Sequence, residues 1–318
     1  MMEDRAEDQL SGSGTVDVAV IGDALIDYQY WVDKVPPVGG DEMIAMSNKS
    51  SGGSAANTAI ALGKLHIRTA FCGRVGRDDN GSWIIGKLKA AGVDTSCVQL
   101  GESTGYVLSI IDKDRERTML SFRGASAEPL NYTPELQDTL QHTQILLVSG
   151  YSLMNPEQAA VSLKAAKETR LSGGLTALDP SPVISQIAPD ILRKMLGETD
   201  IILPNKSELQ ALAKTENLTE GIENLLGLVP CIALKLGSEG SMLIVRGGFS
   251  SPMGTVFPGK SIFRAPAMPV TCIDTTGAGD AFNAGFLASM FQAADPQEWL
   301  ERGNKLAAKV VSQKGASL

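Results

Sequence analysis

The sequence predicts an α/β protein: a doubly wound, mostly parallel sheet flanked by helices, with a small β-sheet lid. Three observations carry that expectation. From residue 144 onward, short apolar runs alternate regularly with helical patterns, the rhythm of a parallel sheet covered on both faces. Earlier, residues 104–112 and 117–122 alternate in polarity around the turn Lys113-Asp114-Arg115-Glu116, a hairpin signal. A chain of 318 residues, 43% hydrophobic and 20% charged, is also long enough to bury a large core.

The elements follow in order. Residues 1–14, MMEDRAEDQLSGSG, are acidic, polar and glycine-tipped and are expected to be a disordered tail. They lack a basic stretch followed by an apolar one, so they do not read as a signal peptide. The folded domain is expected over 15–318. Residues 16–21, VDVAVI, read as a buried first strand ending at Gly22-Asp23. Residues 28–50 carry Pro36-Pro37 and Gly39-Gly40. With a strand-like piece near 42–47, they are expected to join 104–123 in the lid. Residues 52–65 open on two glycines and continue as a helix of small residues. Residues 69–73 read as a strand, and 79–91 as a helix with Trp83, Ile84, Leu88 and Ala91 at helical spacing.

Beyond residue 144, strands are expected at 144–149, 175–179, 200–203 and 230–235, with helices at 156–170, 188–196, 206–214 and 220–228. Residues 241–245, 253–257 and 261–265 suggest short edge strands. Two helices, 277–291 and 296–313, end the chain.

Composition excludes several function classes. The 36 acidic and 28 basic residues give a net charge of −8, which offers no footprint for nucleic acid or an anionic membrane. No apolar run reaches the ~18 residues of a membrane span. Cysteines 72, 97, 231 and 272 form no CxxC pair, so they read as reduced thiols of a cytoplasmic protein rather than zinc ligands. The only histidines are His66 and His142, and both read as ordinary boundary or surface residues rather than members of a triad.

Five segments could carry chemistry. In Asp274-Thr275-Thr276-Gly277-Ala278-Gly279-Asp280, three small residues open a helix. First-turn N–H groups are unpaired and lie at the positive end of the dipole, which makes an anion hole for phosphate. Asp280 sits beside it, where a carboxylate can take a proton from an attacking hydroxyl. The same residues also read as a capping cluster. In Gly52-Gly53-Ser54-Ala55-Ala56-Asn57, the paired glycines admit a polar ligand and Asn57 offers a donor and an acceptor. A tight turn capped by Ser54 is the alternative. Asp23 and Asp27 follow the first strand, at the sheet edge where such folds bind ligands, and two carboxylates there suit a polyol. Asn205 and Glu208 are spaced i, i+3 after a strand. They suit a phosphate, or Mg²⁺ held through water, and equally a capping box. Lys235-Leu236-Gly237-Ser238-Glu239-Gly240 is a strand followed by a glycine turn.

Their joint order resembles the ribokinase-like (PfkB-type) carbohydrate kinases over residues 16–317. GGSAANTA is similar to that family's first signature and DTTGAGDAF to its second, with PNKSE and LKLGSEG between them. The resemblance implies ATP-dependent phosphorylation of a hydroxymethyl group, with ATP and Mg²⁺ bound. Asp280 then matches the catalytic base and Gly277, Ala278 and Gly279 the anion hole. Asp27, Asn57, Gly52 and Gly53 match sugar-binding positions, with Asp23 beside them. Asn205 and Glu208 match the phosphate and magnesium region. Lys235, Gly237 and Gly240 match the nucleotide-lining turn, and Asn304 an asparagine near the adenine. Asp274, Thr276, Gly315 and Ser317 resemble a monovalent-cation site of the kind K⁺ fills. Lids of this kind often pair two subunits as a homodimer.

The substrate is less fixed. Ribokinases proper carry lysine in a GGKGAN signature, where this chain has Ser54. Ser149-Gly150-Tyr151 stands where a glutamate often follows the middle strand. Both departures point away from ribose. Arg123 in the lid suits a carboxylate or phosphate on the substrate, with a slight likeness to 2-keto-3-deoxygluconate kinases, and suits a solvent-facing arginine equally. A fructose-type sugar also fits. The alternatives are a nucleoside kinase, with Tyr28, Trp31, Phe122 and Tyr151 as candidates to face a base, and a non-catalytic sugar or nucleotide sensor.

Overall fold

A computed structural model describes residues 15–313; the tail expected at 1–14, and Gly315 and Ser317, lie outside the described residues. The first half contains β1 (Val16–Ile21), β2 (Leu25–Trp31), β3 (Met46–Gly52), α1 (Ser54–Lys64), β4 (Thr69–Cys72), β5 (Arg74–Gly76), α2 (Asp79–Ala90), β6 (Gln99–Gly101), β7 (Thr104–Ile111), β8 (Arg117–Gly124) and α3 (Pro134–Gln141). The second contains β9 (Thr143–Ser149), α4 (Pro156–Leu171), β10 (Leu175–Asp179), α5 (Pro189–Gly197), β11 (Ile201–Ile202), α6 (Lys206–Ala213) and α7 (Leu218–Leu226). Then follow β12 (Cys231–Lys235), β13 (Ser241–Val245), β14 (Ser261–Ala265), α8 (Ala278–Gln292) and α9 (Pro296–Val311).

The main sheet has eight strands in the order β14-β13-β12-β11-β10-β9-β1-β4. All pair in parallel from β4 to β12, and β13 and β14 close one edge antiparallel. Strand alternation sends successive side chains to opposite faces. Val18 and Val20 of β1 therefore join one core with α1, α8 and α9 residues such as Phe286 and Trp299, while Ala19 and Ile21 join another with Leu136, Leu209 and Leu225. Two cores on two faces are the physical content of double winding. Helix α8 is buried along most of its length, so its sequence is apolar all round rather than striped.

The lid is a separate four-stranded sheet, β3-β2-β7-β8. The hairpin expected around Lys113–Glu116 is there, with β7 and β8 paired antiparallel. The other half differs in register from the sequence reading. The strand expected near 42–47 lies later, at β3, because its last residues pair with Leu25–Asp27 at the lid's root. Residues 253–257 form no strand; Val256 makes an isolated bridge to Ser250, and Phe257 and Thr255 hydrogen-bond to the backbone of residues 248, 249 and 251. The short ribbon of β5 and β6 lacked an alternating pattern long enough to announce it.

Chain order fixes where ligands go. From β1 the chain reaches β4 on one side, and later β9 on the other. Connections leave in opposite directions there, so a crevice opens at the carboxyl ends of β1 and β9. Asp23, Tyr151, Asp179, Asn205 and Lys235 all lie at or just beyond the carboxyl ends of successive parallel strands, on the rim of that crevice.

Candidate active site

A cleft of about 1410 Å³ opens between the rim and the lid. That exceeds the roughly 300–1,000 Å³ of a single small-ligand pocket and suits two substrates side by side. The catalytic, sugar-binding and nucleotide-binding candidates all line it, and Asp274 is tied to it through Thr276. Of the four aromatic residues suggested to face a base, Tyr151 lines it and Tyr28, Trp31 and Phe122 do not, because the alternation of β8 that turns Arg117, Met119, Ser121 and Arg123 to the cleft turns Phe122 away.

At the lid end, Asp27 is buried on β2. Ser109 Oγ donates to its Oδ1 at 3.1 Å and Gln29 Nε2 to its Oδ2 at 3.2 Å. Desolvation nevertheless raises its pKa, opposed by the Ser109 bond and the Arg117 charge. Asp23 is 3% exposed and accepts from Arg123 Nη2 at 3.1 Å. The Arg123 guanidinium also lies 4.5 Å over the Tyr151 ring. Of the two readings open for Arg123, the structure thus places it in the cleft. Asp23 Oδ1 and Asn57 Oδ1 are buried and accept no hydrogen bond from the protein. Buried acceptors without donors are costly, and hydroxyl groups of a polyol are donors that would satisfy them.

The paired glycines act by close approach. Gly53 has φ 88, and a Cβ there would sit 2.5 Å from the Asp23 carbonyl oxygen. That carbonyl accepts from Ala56 N at 3.1 Å, so it caps α1 from the loop that carries Asp23. Gly52 packs against the Asp27 backbone. The signature therefore locks the start of α1 to both acidic residues, and Ser54 is freed from capping to face the cleft.

At the centre lies the start of α8. Gly277 takes the left-handed conformation, φ 76, that turns the chain into the helix, and no side chain caps this end. The N–H groups of Ala278, Gly279 and Asp280 fall in the first turn; that of Ala278 donates to the Thr275 carbonyl at 3.2 Å, and those of Gly279 and Asp280 lie where intrahelical partners are missing. Lys235 Nζ lies within 3.6 Å of where a Gly279 Cβ would be, adding a cation to the dipole end. Asp280 is half-buried. Asn57 Nδ2 reaches its Oδ2 at 3.0 Å and Ser54 Oγ its Oδ1 at 2.7 Å. Desolvation, then the charge of Asp179, push its pKa up to about 7. A carboxyl tuned near neutrality is suited to accept a proton and release it again.

Toward the far end, Asn205 caps α6 in a reciprocal box with Glu208: Asn205 N donates to Glu208 Oε2 at 2.8 Å, and Glu208 N to Asn205 Oδ1 at 2.8 Å. Glu208 is buried and its pKa is raised by desolvation. The capping reading is the one observed for this pair, and the cap lines the cleft. The described residues contain no cluster of three metal-ligating side chains. Gly237 and Gly240 bracket the short turn after β12. Asn304 Nδ2 donates to the Ala265 and Pro266 carbonyls at 3.1 and 3.0 Å, which ties α9 to the chain beyond β14 at the cleft margin.

The residues expected to hold a monovalent cation have a protein cation beside them. Arg117 of β8 donates to Asp274 Oδ2 at 2.9 Å and to Thr276 Oγ1. Asp274 Oδ1 in turn accepts from Thr276 N at 2.9 Å and Oγ1 at 2.7 Å. Arg117 thereby straps the lid to the loop that precedes α8.

Sequence reading missed Asp179, Arg117 and Asn283. Asp179 is 6% exposed; its Oδ2 accepts from Ser54 at 2.9 Å and its Oδ1 from Lys235 Nζ at 3.3 Å. Lys235 Nζ also reaches Asn283 Oδ1 at 3.2 Å. The available signal for Asp179 was its place as the last residue of an expected parallel strand.

A cleft with hydroxyl-accepting groups at one end, a bare helix start at its centre and room for a second ligand defines a phosphotransferase with an alcohol acceptor. Comparison with known proteins agrees. The pattern of the pfkB family of carbohydrate kinases matches residues 16–318. An ATP-dependent ribose-1-phosphate kinase of Halopiger xanaduensis is 29% identical over 289 residues, covering 90% of this chain and 88% of its own. The ribokinase of Arabidopsis thaliana, solved with ribose and ATP, superposes with a TM-score of 0.80 at 25% identity, covering 95% of each chain. The adenosine kinase of Sinorhizobium meliloti does so at 0.81 and 26%, covering 96% of each. The chain belongs to the pfkB family of carbohydrate kinases, and it is an ATP-dependent kinase. No described helix is long and apolar enough to cross a membrane.

Proposed function

We propose that the protein transfers the γ-phosphoryl group of ATP to a hydroxymethyl group of a small sugar or sugar acid, of the ribose, fructose or 2-keto-3-deoxygluconate type. The observation that carries this reading is the juxtaposition of Asp280, with a pKa near 7, the uncapped start of α8, and the unpaired acceptors Asp23 Oδ1 and Asn57 Oδ1 in one cleft. Asp23, Asp27 and Asn57 accept the sugar's hydroxyls and fix its orientation. Asp280 takes the proton of the attacking hydroxyl. The first-turn N–H groups of Gly279 and Asp280, with Lys235, hold the charge that builds on the transferring group. Asn205, Gly237, Gly240 and Asn304 border the nucleotide. Glu208 would hold Mg²⁺ through water, and Mg²⁺ supplies charge neutralisation across the phosphates.

Two arginines at the lid end, Arg117 and Arg123, leave room for an acidic or phosphorylated sugar, and the likeness to a ribose-1-phosphate kinase supports including one among the substrates tested. A nucleoside kinase is the second reading, favoured by Tyr151 in the cleft and by the likeness to an adenosine kinase. The lid's far face carries Leu120 and Phe122, 60% and 46% exposed, which supports pairing with a second copy. ADP release with MgATP decides the substrate over ribose, ribose 1-phosphate, fructose, fructose 6-phosphate, 2-keto-3-deoxygluconate, adenosine and inosine, each with and without K⁺. One active sugar supports the reading, nucleosides alone would transfer it to the second, and binding without ADP release would mark a sensor.

A further inference from the structure

We propose that Arg117 is a built-in cation for the loop that opens α8. Carried by the lid, its guanidinium takes the place of the K⁺ expected beside Asp274 and Thr276 and makes the protein independent of that ion. The proposal rests on the reading of the start of α8 as the anion hole, and names the residue that holds this hole in position.

Asp274 creates the demand for a cation. Its side chain is 12% exposed, and a carboxylate so far removed from water needs an opposite charge. The next residues of its loop, Thr275, Thr276 and Gly277, line the cleft. An unbalanced negative charge there would oppose the phosphates that the anion hole is to hold. The same carboxylate shapes the loop. Its Oδ1 accepts from Thr276 N at 2.9 Å and from Thr276 Oγ1 at 2.7 Å. Behind it, Ile273 N donates to the Val311 carbonyl at 2.7 Å. Gly277 then turns the chain into α8 at φ 76, with no side chain capping the helix. The first-turn N–H groups are therefore placed by the turn that Asp274 makes.

Arg117 meets that demand. Its Nη2 donates to Asp274 Oδ2 at 2.9 Å and its Nη1 to Thr276 Oγ1. One guanidinium thus spans both residues with the fixed fork of donors that arginine offers. With Oδ2 taken by Arg117 and Oδ1 by Thr276, both carboxylate oxygens face protein donors. A metal ion on this pair would have to displace them, and it would lie against a positive charge. Asp274 and Thr276 therefore do not fit K⁺ while Arg117 is in place. Arginine stays protonated at every working pH, so its charge is always present, whereas an ion's depends on concentration. The cation also belongs to the lid. Arg117 is the first residue of β8 and pairs with Ile111 at the end of β7, beside the hairpin turn. Its charge reaches Asp27 of β2, where burial raises the pKa and Arg117 acts in the opposite direction. One side chain therefore connects the sugar end of the cleft with the loop that places the anion hole, and the hole is complete when the hairpin lies over it.

Arg117 acts through Asp274 and Thr276 and is a positioning residue. The test compares the full chain with Arg117→Ala in potassium, sodium and choline chloride at equal ionic strength. Thermal melting and ADP release with MgATP and the active sugar are the two readouts. The parent should melt at one temperature and turn over at one rate in all three salts. Arg117→Ala should melt lower and lose about 10²-fold in kcat, the cost of misplacing a group by an ångström, with a smaller change in KM. In that variant K⁺, or a low concentration of guanidinium, should raise both readouts above their values in choline, because Asp274 again has a cation. Adding Asp274→Asn to Arg117→Ala removes the charge that calls for a cation and should abolish the response. Nucleotide binding confirms that each variant is folded. A K⁺-specific rise in the parent overturns the proposal. So does a parental kcat in Arg117→Ala, a variant deaf to both cations, or a K⁺ response that survives Asp274→Asn. The melts need no substrate and keep the two failures apart. A parent that releases no ADP with any alcohol strikes the kinase reading, and the salt dependence of the melts still decides the role of Arg117.

Discussion

Replacing Asp280 with Asn should make the protein more stable above neutral pH while removing its activity. Asp280 ionises at 3.8 when unperturbed and at about 7 in the cleft. Each pH unit of difference is about 1.4 kcal/mol, so holding the charged form in the folded state costs about 4 kcal/mol. The residue keeps some surface toward the cleft, and screening there brings the value nearer about 2 kcal/mol. The direction with pH follows from linkage. The folded state prefers the protonated acid, so its stabilisation is complete below the unfolded pKa of 3.8 and is lost as pH rises through about 7. Asn carries no such dependence. Thermal melts should therefore show Asp280→Asn above the parent by about 4 °C at pH 8, at about 2 °C per kcal/mol for a chain of this size. The gap should close as pH falls toward 4. Turnover should drop about 10²–10⁴-fold, the typical contribution of a general base. A variant less stable at pH 8, or a gap that ignores pH, would refute the claim that this carboxyl is held against its solvation preference.

Other perturbations isolate single parts. Gly53→Ala places a Cβ 2.5 Å from the Asp23 carbonyl oxygen at φ 88; it should destabilise by about 2 kcal/mol or more, read by melting, and raise KM for the sugar because the Asp23 loop must move. Glu208→Gln keeps a side-chain carbonyl for the Asn205 N–H; melting should stay within about 0.5 kcal/mol of the parent, while the Mg²⁺ concentration for half-maximal turnover should rise about tenfold. Leu120→Asp puts charge on the lid's exposed face; under the proposed pairing, sedimentation should report a dimer for the parent and a monomer for the variant, and the same sedimentation coefficient for both would argue against pairing through that face.

The fold was legible where local pattern and topology coincide. The runs of β1, β9, β10 and β12 are short and apolar because both faces of a parallel strand are covered, and the helices between them announce the crossovers. Register in the lid was less legible. Residues 46–52, MSNKSSG, have almost no apolar alternation, since β3 is exposed over its first half and only its last residues are buried. Its position is set by pairing with β2 and by Gly52 packing on Asp27, which are long-range constraints. The β5–β6 ribbon is three residues on each side, too short for any periodicity.

The site was legible to the extent that each segment announces its own chemistry. Glycines beside a helix start, a carboxylate one turn in and an Asn-x-x-Glu cap can each be read within a few residues. The structure brings these segments together in one cleft. What a local reading cannot supply is the contact that gives a common residue its meaning. Asp179 is an aspartate before a proline, an ordinary way to end a strand. It matters because β10 lies beside β9 and β12 lies two strands away, so Ser54 from α1 and Lys235 from β12 converge on its two oxygens. Arg117 is likewise an unremarkable charge in a hairpin until the lid folds over Asp274, 157 residues later. In both cases the sequence separation is large and the partner is charged, so neither residue lies on a periodic apolar face that would mark it. A strand-ending carboxylate on a parallel sheet with a known switch point is therefore worth weighing as a site residue before any partner is visible, since the sheet places it on the rim where the ligand must lie.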